Sequence, residues 1–145
     1  MEKFILVLKQ LIGEGFHLDH LLVDEDYGQL EAIAQGLDQY PVTFPCVLIS
    51  DIVTNFGELT EPVQRGKMLF TIRLAFDCYE DTHYGSGQEQ AIEDRMKANR
   101  ALTSLINGQR IANCPGKVHR VQFRSYSMPH GVKVYETAYE CSIND

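Results

Sequence analysis

From Lys67 to Tyr79 the chain alternates without a break. Met68, Phe70, Ile72, Leu74, Phe76 and Cys78 fall on one parity, and Lys67, Leu69, Thr71, Arg73, Ala75, Asp77 and Tyr79 on the other. Side chains alternate faces along a strand, so this run predicts an extended segment with one continuous apolar face. It exceeds the usual strand of about five or six residues, so it is expected to run past the body of its sheet.

The remaining elements arrange themselves around that strand. Phe4, Ile5, Leu8, Leu11 and Ile12 recur at helical spacing, and Gly13 and Gly15 are expected to stop this first helix. Between Phe16 and Tyr40 the pattern is weak: Leu21-Leu22-Val23 suits a short strand, and Leu30, Ile33, Ala34 and Leu37 suit one helical face. Cys46-Val47-Leu48-Ile49 is a β-forming run of the kind covered on both faces or carried through an oligomer interface. The polar stretch Asp51 to Pro62 reads as an extended hairpin connection. Gln88 to Asn107 reads as a helix whose stripe is Ala91, Ile92, Arg95, Ala98, Leu102, Leu105 and Ile106, closed by Asn107-Gly108. Val118 to Tyr126 and Val132 to Ile143 alternate as an antiparallel pair joined through Met128-Pro129-His130-Gly131. No βαβα repeat appears. The expected fold is α+β: a single domain over residues 1–145, mainly antiparallel, with two helices packed on one face of the sheet.

Composition restricts function. The chain has 145 residues, 44% of them hydrophobic, which suffices for one core without disulfide staples. Thirteen Lys+Arg against 20 Asp+Glu give a net charge of −7, which argues against a general binder of phosphate backbones. The apolar start, Phe4 to Leu8, is far shorter than the roughly 20 residues a membrane span needs, and it reads badly as a signal peptide. Cys46, Cys78, Cys114 and Cys141 include no CxxC pair, and three lie in strand-like runs, so they read as reduced core residues.

Catalytic signatures are weak. His17, Asp19 and His20, followed by Asp24, Glu25 and Asp26, match no defined metal spacing and read as a solvated acidic segment. Asp77, Glu80, Asp81 and His83 form an oxygen-rich group beside a glycine loop, without the ordered pattern of a calcium loop. Gly85-Ser86-Gly87 lacks the strand–turn–helix context of a nucleophile elbow, and no phosphate-binding glycine loop is present. Arg110, Lys117, His119, Arg120 and Arg124 gather around the later strands, and alternation puts Arg120, Gln122 and Arg124 on one face. Two alternatives stay open: a small cytoplasmic metal-dependent enzyme using Asp77, Asp81 and His83, and an antiparallel-sheet nucleic-acid module using Arg120, Phe123 and Arg124. The basic strip also suits a neighbouring copy's acidic loops.

One family shares this layout along essentially the whole chain. An amphipathic first helix leads to Phe44-Pro45-Cys46-Val47-Leu48-Ile49, then a polar excursion, then the long strand running into Asp77-Cys78-Tyr79-Glu80-Asp81-Thr82-His83. A helix and a terminal aromatic alternating strand close it. In this the chain resembles the tail terminator, or tail-completion, proteins of long-tailed bacteriophages and their prophages. It departs from them in the long, irregular stretch Phe16 to Tyr40.

The resemblance implies a structural virion-assembly protein and no enzyme. Such proteins form a homo-oligomeric ring, a hexamer in that family, which ends tail-tube polymerisation and meets the head connector. The partners implied are copies of itself, the tail-tube protein and head-connector proteins, with no membrane, no direct nucleic-acid contact, no cofactor and no metal. The implied location is the bacterial host cytoplasm during assembly and then the virion tail. The expected interface residues are Asp51, Asn55, Phe56 and Glu58 in the excursion, Glu80, Asp81, His83 and Tyr84 in the acidic loop, and Arg120 and Arg124 on the basic strand.

Overall fold

A computed structural model describes residues 3–37, 42–57, 59, 64–78, 85–112 and 114–144. Among them the elements in chain order are α1 (Phe4–Gly15), β1 (Leu22–Glu25), α2 (Gln29–Ala34), β2 (Cys46–Ile49), β3 (Val53–Phe56), β4 (Arg65–Asp77), α3 (Glu89–Ile106), β5 (His119–Met128) and β6 (Val132–Asn144). The strands form one sheet in the order β1-β2-β4-β6-β5, with β3 also on β4. The alternating run is its centre: β4 pairs with β6 from Arg65↔Asn144 to Asp77↔Val132. β2 and β3 share the other edge of β4, through Cys46↔Ala75 to Ile49↔Ile72 and Val53↔Leu69 to Phe56↔Gly66. The polar excursion therefore contains a strand as well as a connection.

The fold is α+β and mainly antiparallel, as expected. One pair differs: β1 runs parallel to β2, from Leu22↔Cys46 to Glu25↔Ile49. Parallel neighbours need a crossover, and residues 26–45, with α2 inside them, provide it. At 6 residues α2 is too short to announce itself by period.

Each face of the sheet carries its own core. On one face α1 supplies Phe4, Leu8 and Ile12 and α3 supplies Leu102 and Ile106, packed against Val47, Met68, Phe70, Ile72, Leu74 and Tyr139. Phe4 meets Phe70 edge-on at 5.2 Å, and Phe70 stacks on Tyr139 at 5.4 Å. This is the pairing of two helices on one face that the sequence predicts. The third helix, α2, lies on the opposite face, where Leu30 packs with Cys46, Leu48, Ala75 and Val134.

The ends of the helices follow local chemistry with one exception. α1 continues through Gly13 to Gly15, and buried Phe16 ends it in extended backbone, its N–H donating to Ile12 O at 2.9 Å. After α3, Gly108 takes φ +87° and turns the chain. Gly116 is required by space: a Cβ there would lie 2.8 Å from Ser142 N. Cys46, Cys114 and Cys141 are buried, reduced thiols. Burial pushes the Cys46 thiol up to about 12; burial and then neighbouring Cys114 push Cys141 to about 12. Such thiols pack as small hydrophobes and are poor nucleophiles.

Leu8 is fully buried and Leu6, on the same helix, is 66% exposed. Leu8→Ala should cost about 2–5 kcal/mol in urea unfolding, whereas Leu6→Ala should change stability by less than about 0.5 kcal/mol. Equal effects would contradict this packing of α1.

Candidate functional site

The helices cover only part of the sheet. Beyond them β3, the first residues of β4 and the last of β6 project as a ribbon. Ser50 keeps the ladder continuous where β2 gives way to β3: its N–H donates to Thr71 O at 2.9 Å, and Thr71 N–H donates to its Oγ at 2.7 Å. Gly66 lets the strands close up, since a Cβ there would lie 2.7 Å from Asn55 O. The projecting end carries a groove of about 770 Å³ lined by residues that include Asn55, Phe56, Leu69, Glu140 and Ser142. Lys67 and Glu140 meet across it at 3.4 Å. Val53, Phe56 and Leu59 stand exposed nearby, at 58%, 45% and 68%. Large apolar side chains exposed on an edge strand are what a chain in water normally suppresses, which makes this end the candidate site.

β5, at the far side of the sheet, is a second open edge and is exposed along most of its length. Val121 and Phe123 are its exposed apolar residues, Phe123 lying parallel to the Tyr135 ring at 6.5 Å. Its register corrects one expectation. Arg120 pairs with Tyr139, but Gln122 pairs with Ala138 and Arg124 with Glu136, so an irregularity between Arg120 and Gln122 breaks the alternation. A bulge adds one residue and moves everything beyond it to the other face. Arg120 therefore shares the face of α1 and α3, while Arg124 lies on the face of α2. Arg124 is also engaged, with its Nε 2.7 Å from Glu136 and its guanidinium 4.9 Å from the Tyr126 ring centre. The two arginines do not form one basic face.

Arg73 occupies the buried centre of the α2 face, 7% exposed. It bonds Asp26 at 2.7 Å and Glu31 of α2 at 2.8 Å, and it reaches the Tyr126 hydroxyl at 3.4 Å. That hydroxyl donates to Glu136 at 2.9 Å, which in turn holds Arg124. Burial alone would lower the pKa of Arg73; Tyr126, Asp26 and Glu31 together outweigh it and leave the guanidinium charged. Burial also opposes ionisation of Glu136, yet the bonds from Arg124 and Tyr126 hold its carboxyl below the usual range. Asp26 thus leaves the solvated acidic segment in which its neighbours place it. This network ties the turn after β1, α2 and strands β4, β5 and β6 together.

The structure gathers Asp51, Asn55 and Phe56 at the β3 end and sets Arg120 and Arg124 on the opposite edge. Glu58, Glu80, Asp81, His83 and Tyr84 lie outside the described residues. Among the described residues no three His, Cys, Asp or Glu side chains cluster to hold a metal, and Asp77 is exposed at the end of β4. No described helix is long and apolar enough to cross a membrane. Sequence reasoning passed over Val53 and Leu59, which only the pairing of β3 reveals as exposed apolar residues.

No protein-family model matches the chain, and no curated protein matches it. Among solved structures, a chain from the virion of a native gene transfer agent particle shares the fold with a TM-score of 0.55 at 10% identity. The match covers 96% of this chain and 85% of that one.

Two outcomes follow from the network. Arg73→Leu leaves the largely buried Asp26 carboxylate without its cation and should cost about 3 kcal/mol in chemical unfolding, with Arg73→Lys falling between because it lacks the planar fork. The pKa of Glu136 is depressed on folding, so its contribution is complete above the ordinary carboxylate range and is lost as pH falls through the folded value. Comparison of Glu136→Gln with the parent should show a parental advantage at neutral pH that shrinks toward about pH 3. An advantage that grows in acid would contradict the assignment.

Proposed function

We propose that this chain is a structural component of a phage-like virion and acts as a tail terminator, a ring that ends tail-tube growth and joins tail to head. One observation carries the reading: nearly the whole chain shares its fold with a chain from a gene transfer agent virion. The surface supports it. Among the described residues, edge strands lie on opposite sides of one sheet, β3 and β1 on one side and β5 on the other. A ring needs heterologous contacts, in which one patch meets a different patch on the next copy and the rotation closes. Val53 and Phe56, on opposite faces of β3, and nearby Leu59 leave exposed apolar side chains at the first edge, and Val121 and Phe123 do so at the second. Asp51 and Asn55 accompany the first edge, and Arg120 the second, so opposite charges are available to set the register.

Light scattering over a range of concentrations, alone and with a phage tail-tube protein, tests the reading. A closed oligomer should form alone or on the tube, and Phe56→Asp should abolish it while leaving the monomer folded. A monomer under both conditions would overturn the proposal.

A further inference from the structure

α3 buries Leu102 and Ile106 at its C-terminal end and packs Ala98 partly against the same core. Its first turns overhang the end of the β5–β6 hairpin and enclose a cavity of about 430 Å³ with it. Arg95 from the helix and Lys133 from β6 both line this cavity, along with Ser125 and Ser127 of β5. No carboxylate is among the described residues lining it. In a chain of net charge −7, two cations and no acid among the described residues lining one hollow are a local reversal of sign.

Arg95 Nε is buried and has no hydrogen-bond partner. A buried polar group left unmade costs about 1–3 kcal/mol, and more when charged, so such a group signals a missing acceptor. A carboxylate is the acceptor that a guanidinium fork fits best, and the serine hydroxyls can donate to its second oxygen. The mouth of the cavity is apolar: Ile92 and Met96 line it and are 37% and 48% exposed.

The geometry points to a binding site for an acidic side chain on a partner protein, its carboxylate on Arg95 and flanking apolar residues on Ile92 and Met96. The cavity has the size of ordinary ligand sites. Its open apolar rim on a helix suits an extended peptide better than a free acid. This site lies apart from the β3 groove and does not rest on the ring reading: either can fail while the other stands.

The test uses the full chain labelled with ¹⁵N, following the Arg95 Nε–Hε signal and the amides of Ser125 and Ser127. One probe is a glutamate tripeptide, blocked at both ends with leucine on either side; a second is free 4-phenylbutyrate. The controls are the glutamine tripeptide and the phenylbutyramide. The glutamate peptide should shift these signals and the neutral controls should not. Arg95→Gln should weaken binding by about tenfold or more. If Arg95→Gln fails to fold, Lys133→Gln should show a smaller loss in the same direction. No shift with the glutamate peptide, or an equal shift with its glutamine counterpart, would overturn the site. Shifts with 4-phenylbutyrate alone would overturn the peptide as its occupant.

Discussion

A guanidinium buried in the middle of a sheet needs acceptors from several directions, and Arg73 takes them from elements far apart in the chain. Asp26 reaches it from the turn after β1, Glu31 from α2 and Tyr126 from β5. Moving such a cation out of water is expensive, and removing any acceptor leaves a buried charge short of partners. The geometry is therefore all-or-none: α2 must sit on its face and β5 must lie next to β6 for Arg73 to be satisfied. Apolar packing on the other face, through Phe4, Phe70 and Tyr139, supplies the bulk of the burial. Hydrophobic contact tolerates many arrangements, and the ion network selects one.

The division between the two faces explains where function can reside. Residues near Arg73 are committed to holding the sheet, and those under α1 and α3 to the core. The β3 ribbon, the β5 edge and the overhanging start of α3 remain. All three are exposed and partly apolar. That combination serves recognition between proteins better than catalysis, which asks for convergent polar groups in a shielded site.

Much of the fold was legible because it is written in local period. The alternation from Met68 to Cys78 located β4, and the spacing of Phe4, Leu8 and Ile12 located the buried stripe of α1. What was not legible depends on partners far away in the chain. Arg73 falls on the parity opposite the apolar face, and alternation gives parity but not what covers each parity. α2 covers it, and Asp26 and Glu31 neutralise it. The bulge in β5 escaped because an inserted residue leaves no signature in a strand whose residues are nearly all exposed. Of the candidate site, Asn55 and Phe56 were recoverable as residues of an overhanging segment. Arg95 was not, since it falls within the apolar stripe of α3 and only the overhang shows that its nitrogen lacks an acceptor.

In the proposed ring, the β3 and β5 edges are closed by neighbouring molecules. Hydrogen exchange of the chain, measured free and then in complex with assembled tail tubes, tests it most directly. The amides of Val53–Phe56 and of His119–Phe123 should gain protection on assembly, while those of β4 and β6 within the sheet stay as slow as before. Unchanged exchange along both edges in the assembled complex would contradict the claim.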